Sequence, residues 1–361
     1  MKTMYKVSIH PSFSINGKGL LVDDLLELGY SYIKEGAEFE KEIGQFVLDW
    51  IDSSSTLKVQ TSGSTGVPKS IELRKEYMTN SALATGSYFE LSPEDSALLC
   101  LPATYIAGKM MLVRAMVLGL NLYIVPPTSN PLSSISRSFD FGAMVPMQVM
   151  NSLPFANQIK ILLIGGAPIS PYLRSQIKTL ENRCYETYGM TETVTHIAVK
   201  PLNQFNDLDK EPLFKTLPEV KVSTDERDCL VIQAPKVSKD RVVTNDVVSL
   251  LPSSEFKWLG RYDNVINSGG VKLNPEQIES KLSNIIGQSF FISSLPETKL
   301  GEQLVLVLEG TSEEKGLLKK ITSSKVLTKY EVPRLIKTIP EFLRTNSGKI
   351  KRKETMALLN S

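Results

Sequence analysis

Residues Gln60 to Ile71 read Q-T-S-G-S-T-G-V-P-K-S-I and concentrate the residue types that an anion site requires. Thr61, Ser62, Ser64 and Thr65 alternate with Gly63 and Gly66, so backbone N–H groups and hydroxyls can crowd an anion with no Cβ in the way. Lys69 adds a point charge. Leu57 to Gln60 and Ile71 to Leu73 alternate as strand ends do, which places the polar run on a tight loop between extended segments. A plain Ser/Gly-rich surface turn shares this composition. A Walker-type loop does not fit, because it needs G-x-x-x-x-G-K-[ST]; here the glycines are too close and Pro68 precedes the lysine.

Five more segments carry functional groups. The apolar run Ile159 to Ile164 leads straight into Gly165-Gly166-Ala167-Pro168, the arrangement that lets a flat ligand approach the backbone at the carboxyl edge of a sheet. Tyr185 to Thr193 reads Y-E-T-Y-G-M-T-E-T, and Thr244-Asn245-Asp246 follows a set of short alternating segments. Trp258 to Glu279 reads W-L-G-R-Y-D-N-V-I-N-S-G-G-V-K-L-N-P-E-Q-I-E, and Ile339 to Arg352 reads I-P-E-F-L-R-T-N-S-G-K-I-K-R. His10 and His196 are the only histidines, which argues against a histidine-rich metal site. His196 is either a satisfied core histidine or part of a pocket wall.

Together with the Gln60–Ile71 loop and Leu101 to Gly108 (L-P-A-T-Y-I-A-G), these segments resemble, in order, the signatures of the adenylate-forming superfamily of acyl-CoA ligases, luciferases and peptide-synthetase adenylation domains. The resemblance runs from about residue 57 to 353. It departs at Tyr105 (histidine in relatives), Asn245 (glycine) and Leu343 (proline). The resemblance implies an ATP site made of Thr61 to Gly66 and Lys69 on the phosphates, Gly165, Gly166 and Ala167 along the adenine, and Tyr188 stacked on the purine. Gly189 lets the chain turn there. It further implies Thr191 on the α-phosphate, Glu192 as a hard oxygen ligand for Mg²⁺, and Asp246 and Arg261 on the ribose. Lys349 corresponds to the adenylation lysine, Asp263 to the hinge, and Gly269-Gly270 to the loop lining the thiol tunnel. Tyr105 and His196 belong to the acyl pocket on this reading, with Lys109, backed by Arg114, as the cation for a second substrate carboxylate.

The elements that must position these groups are partly legible. Tyr5 to Ile9 predicts a first strand, Gly29 to Asp52 a helix, Lys75 to Phe89 a helix, Ala97 to Leu101 a buried strand, and Gly108 to Gly119 an apolar helix. Asn121 to Pro126 and Ile159 to Ile164 predict strands, and the Met144 to Met150 segment a helix start. Val220 to Val222, Leu230 to Ile232 and Arg241 to Val243 predict short antiparallel strands. Asn274-Pro275 predicts a helix start, and Ser289 to Ser294 and Gln303 to Glu309 strands of a small α+β domain.

The expected fold is therefore α/β: a large N-terminal domain, residues 1–262, with β-sheets flanked by helices, and a small mobile α+β domain, residues 263–361. About sixty residues precede the phosphate loop, which suggests a pared-down start like that of the short bacterial ligases of menaquinone synthesis that act on 2-succinylbenzoate. Lys+Arg 41 against Asp+Glu 39 leaves +2, so nothing argues for nucleic acid or an anionic membrane. No apolar run predicts a membrane span or signal peptide, and three scattered cysteines suit a reducing cytoplasm. The implied partners are a small carboxylic acid, ATP, Mg²⁺ and coenzyme A, and a homo-oligomer is compatible with the sequence. The readings in play are a 2-succinylbenzoate ligase, another aryl- or acyl-CoA ligase, a module that loads a carrier protein, and a plain NTPase.

Overall fold

In the computed structural model, residues 7–60, 70–205, 212–252, 254–311, 315–345 and 349–359 are described. The chain divides into two compact units, one of residues 1–168, 176–222 and 232–242, the other of residues 169–175, 223–231 and 243–361.

In the first unit, strands Arg183–Gly189, Ile159–Ile164, Phe139–Met144, Ser96–Leu99 and Asn121–Ile124 lie side by side in parallel. His196–Pro201 and then Phe214–Thr216 extend one side antiparallel, and the two-residue strands Ser14–Ile15 and Lys18–Gly19 finish the other. Parallel strands need covered faces, and the apolar runs of Ile159–Ile164 and Ser96–Leu99 are almost wholly buried. Helix Lys75–Phe89 packs on helix Ile106–Leu118, whose residues from Met110 to Met116 are all buried. That explains why this helix has hydrophobic residues all round.

Thr56–Gln60 and Ser70–Arg74 form an antiparallel hairpin with Gln60 opposite Ser70. The hydroxyl and glycine run it brackets, Thr61, Ser62, Gly63, Ser64, Thr65, Gly66 and Lys69, lies outside the described residues.

In the second unit, Val242–Leu251 and Glu255–Arg261 pair antiparallel, setting Asp246 opposite Arg261. Gly301–Glu309 is the spine of a five-stranded sheet, antiparallel to Phe290–Glu297 and parallel to Leu335–Ile339. Strands Ile266–Ser268 and Val271–Leu273 join it as a hairpin. Helix Pro275–Leu282 starts with proline at its first position, where a missing N–H costs nothing, and buries Ile278 and Leu282. The expected α/β fold with flanking helices and a smaller α+β part is what the chain adopts.

Two segments differ from expectation. Residues 7–9 of the proposed first strand have no regular structure, and residues 5 and 6 lie outside the described set. The helix expected over 29–52 is two, Val22–Glu35 and Glu38–Ile51, because Gly36 and Ala37 take extended backbone. The two helices touch at glycines: a Cβ on Gly44 would sit 2.7 Å from the Gly29 carbonyl oxygen and 2.9 Å from Tyr32 Cβ. Gly44→Ala is therefore expected to lower stability, because overpacking at about 1–3 kcal/mol outweighs the roughly 1 kcal/mol of helix propensity gained. Chemical denaturation checks it; a variant as stable as the parent would show that the crossing can open freely.

Candidate active site

The carboxyl ends of the parallel strands bring together residues far apart in sequence. Ile164 lies opposite Glu186, so Gly165, Gly166 and Ala167 leave the sheet beside the strand that carries Tyr188 and Gly189. Gly166 has φ +83°. A Cβ on Gly189 would lie 2.2 Å from the Thr195 carbonyl oxygen and 2.5 Å from His196 Cα, so only glycine lets strand His196–Pro201 come this close. Tyr188 is partly exposed, its ring 5.7 Å from that of Phe214.

Thr191, Glu192 and Thr193 form a single 3₁₀ turn, and the chain then passes through Val194 at φ +66°, ψ −60°. With Thr195 N–H donating to Thr193 C=O at 2.8 Å, this is a three-residue turn in its strained form. A buried, β-branched residue in this geometry stores about 1–3 kcal/mol, held by the packing around it. Glu192 is exposed and lines a cavity of about 290 Å³ with Ile71, Arg74, Tyr77, Lys239 and Arg241, beside the strand that follows the 61–69 stretch. No group of three or more potential ligands that could hold a metal occurs among the described residues. A Mg²⁺ here would take one carboxylate from the protein and the remainder from phosphate oxygens and water, which is how Mg²⁺ is commonly held.

Deeper in the same unit, Arg114 is only 2% exposed. Its guanidinium donates to Thr85 Oγ1 (3.3 Å), Thr195 Oγ1 (3.4 Å), Met111 Sδ (3.6 Å) and His196 Nδ1 (3.4 Å), all neutral acceptors. Burial alone brings its pKa down to about 10. Thr85 Oγ1 gives its hydrogen to the Ser81 carbonyl, so at 3.4 Å it accepts from His196 Nε2. The network thus assigns His196 the neutral tautomer with hydrogen on Nε2 and its Nδ1 lone pair facing Arg114. Burial first, and the Arg114 charge second, hold the His196 pKa well below the usual histidine value. A small cavity of about 40 Å³ lies against His196, Ser81 and Ala84.

Lys109 lies five residues before Arg114 on the same helix, which is about 140° around it, so the two cations face different ways. Its ammonium is 5.0 Å from the Phe46 ring. Burial lowers its pKa, while Asp49 and Glu42 draw it back up. The structure therefore brings His196 and Arg114 together and sets Lys109 against helix Glu38–Ile51. Tyr105 stands just before Ile106, at the start of that helix.

In the second unit, Asp246 is buried and accepts from Trp258 Nε1 at 3.1 Å, with Arg261 Nη1 at 3.6 Å. Arg261 also donates to Asp263 Oδ2 at 3.1 Å. Lys349 lies within electrostatic reach of both Asp246 and Arg261. Its side chain keeps contact with solvent, yet crowding by protein, and then the Arg261 charge, hold its pKa below the usual lysine value, against the pull of Asp246. Asn245, where the resemblance expects glycine, donates to the Asp263 carboxylate at 3.3 Å and accepts from Arg227 Nη1 at 3.0 Å. Gly269 (φ +60°) and Gly270 (φ +81°) make the two-residue turn of the 266–273 hairpin. Asp246, Arg261, Asp263 and Lys349 are thus gathered from segments up to about a hundred residues apart. The Asn245–Arg227 link and the Val194 turn have no signal in the sequence.

The sequence profile of a family described as AMP-binding enzyme matches residues 45–228. The chain is 25% identical to a 2-succinylbenzoate–CoA ligase of Listeria monocytogenes, over 91% of this chain and 75% of that protein. It is 24% identical to the 2-succinylbenzoate–CoA ligase of Escherichia coli K12, over 86% and 70%. Among solved structures, an acyl-CoA synthetase (AMP-forming)/AMP-acid ligase II-like protein from Dyadobacter fermentans is 36% identical, with a TM-score of 0.61 over 92% of this chain and 98% of that one. The Bacillus subtilis o-succinylbenzoate coenzyme A synthetase with ATP and magnesium shares the fold at 21% identity, with a TM-score of 0.72 over 83% and 69%.

The neutral state of His196 has a measurable consequence. The unfolded chain takes up a proton below the ordinary histidine pKa of 6.5, whereas the folded chain takes it up only at much lower pH. Stability is then intact above pH 6.5 and falls below it, by up to about 1.4 kcal/mol per pH unit. Thermal unfolding from pH 7 to 5 should show the parent losing more stability than His196→Gln. Parallel losses would mean that the imidazole is not held neutral.

Proposed function

Because the chain belongs to the AMP-binding enzyme family, we propose that it joins a carboxylic acid to coenzyme A through an acyl-adenylate, and that the acid is a dicarboxylate of the 2-succinylbenzoate type. At the coarser level it is an adenylate-forming, AMP-forming acid–thiol ligase. ATP and Mg²⁺ belong to the first half-reaction, and coenzyme A is the second co-substrate.

One observation carries the substrate reading: Arg114 is buried among neutral partners, with no carboxylate on it among the described residues. An isolated buried charge costs several kcal/mol. A substrate that keeps one carboxylate after the other is activated supplies the missing anion. The names of the curated relatives support the same class of acid. Lys109 has Asp49 and Glu42 near it, so of the two cations Arg114 is the one left to read a second carboxylate.

The chemistry then divides among the chain's residues. A carboxylate is a weak electrophile, so it is first converted to a mixed anhydride. On this reading Tyr188 and the Gly165–Ala167 backbone hold the adenine, and Asp246 and Arg261 the ribose. Bound Mg²⁺, held through Glu192, would neutralise phosphate charge. Thr191 and Lys349 hold the α-phosphate, where the lysine offsets charge that grows as the acid attacks and pyrophosphate leaves. Gly269-Gly270 line the path of the thiol that later displaces AMP. A boundary near Asp263, between residues 1–262 and 263–361, would let the two half-reactions use different surroundings.

Acid-dependent ATP–pyrophosphate exchange over a panel of carboxylates tests this. Exchange should be fastest with a dicarboxylate, and Arg114→Met should raise its KM by about one to two powers of ten, with a smaller change for Lys109→Met. Monoacids lacking the second carboxylate should hardly register the Arg114 change. A plain NTPase would show no acid-dependent exchange, and equal KM effects on diacid and monoacid would remove Arg114 from substrate recognition.

A further inference from the structure

The segment that carries Lys349 is pinned on both flanks. Thr345 N–H donates to the Lys349 carbonyl at 2.8 Å, Lys349 N–H to Thr345 Oγ1 at 3.1 Å, and Lys351 N–H to the Leu343 carbonyl at 2.8 Å. Arg344 and Ile350 form an antiparallel bridge, and Arg344 pairs with Glu309 on the central strand of the sheet. Three residues past Lys349, Arg352 opens the helix Arg352–Ala357 and makes the stronger anchor. Its guanidinium forks onto both oxygens of Glu279, at 2.6 and 2.7 Å, donates to the Ile292 carbonyl at 3.1 Å, and lies 3.7 Å from Glu276 and 5.6 Å from the Phe291 ring.

From this geometry we propose that Arg352, through Glu279, is a positioning residue that fixes where the Lys349 ammonium is delivered during adenylate formation. The proposal rests on the reading of Lys349 given above. The side chains of Arg352 and Glu279 are 22% and 18% exposed, so their fork is largely withdrawn from water, where a bidentate pair is strong and directional. The fork lies beside the apolar clusters of this unit, Ile278, Leu282, Leu306 and Ile321 on one side and Phe291, Val307 and Phe342 on the other. What the fork adds is a fixed origin for a segment three residues from the charge. Without it the segment loses its tie to helix Pro275–Leu282 and strand Phe290–Glu297, and a displacement of about 1 Å at the charge can cost a hundredfold in rate.

Two assays separate positioning from folding: acid-dependent ATP–pyrophosphate exchange, and conversion of supplied acyl-adenylate and coenzyme A to thioester. Arg352→Met should lower kcat for exchange by about tenfold or more, with KM for ATP within about threefold and thioester formation within about twofold of the parent. Arg352→Lys, which keeps the charge and loses the fork, should recover only part of the exchange. Equal loss in both assays by a folded variant, full rescue by lysine, or undiminished exchange would each overturn the proposal. Should Arg352→Met fail to fold, Glu279→Gln removes the acceptor charge while keeping its shape, and the same readouts apply. Lys349→Ala, run alongside, separates the two levels of the argument. If it keeps exchange, the lysine reading itself fails; if it loses exchange while Arg352→Met does not, only the positioning proposal fails.

Discussion

A guanidinium buried without an acid ties together three elements of the first unit. Arg114 draws acceptors from three elements at once: Thr85 from helix Lys75–Phe89, Met111 from its own helix, and His196 from strand His196–Pro201, with Thr195 just before it. Because the partners are neutral, the charge is solvated but never cancelled, and burial first, with its field second, keeps His196 unprotonated. A buried charge with no counter-ion among the described residues is costly to keep, which is the ground for the proposed role of Arg114 in holding an acid.

The same logic runs in reverse in the second unit. Asp246, Arg261, Asp263 and Lys349 carry alternating charges that largely compensate one another, and Arg227 and Asn245 tie the aspartate-bearing strand to the turn that holds Asp263. Lys349 is the exception. Crowding by protein, and then repulsion from Arg261, hold its pKa below the ordinary lysine value although the side chain keeps contact with solvent. Its backbone hydrogen bonds to Thr345 and the Arg352–Glu279 fork supply rigidity that a long flexible side chain lacks.

Much of this was legible in the residues. Helix Lys75–Phe89 and strand Ile159–Ile164 have the bounds expected of them, the helix packed on helix Ile106–Leu118 and the strand an apolar run that is almost wholly buried. The helix break at Gly36-Ala37 was hidden because the apolar spacing continues across it, and the close approach of Gly29 and Gly44 appears only once the helices cross. Strands of two residues, Ser14–Ile15 and Lys18–Gly19, are too short to have a period. That Lys109 and Arg114 face different ways follows from five residues of helix, but which of them lacks an acid depended on where Asp49 and Glu42 lie. Val194 at positive φ contradicts every local preference of valine, so only the packing around it could place it there.

The most direct test of the central claim is thermal unfolding of the parent and Arg114→Met, each with and without a saturating dicarboxylate of the 2-succinylbenzoate type. If Arg114 is kept for an anion, the variant without ligand is as stable as the parent or more so, and the diacid raises the melting temperature of the parent alone. At a ligand concentration of 100 times Kd that gain corresponds to about 2.7 kcal/mol. A variant destabilised by about 3–5 kcal/mol without ligand, the cost of breaking a buried ion pair, and stabilised by the diacid as much as the parent would contradict the account, because the charge would then serve the fold.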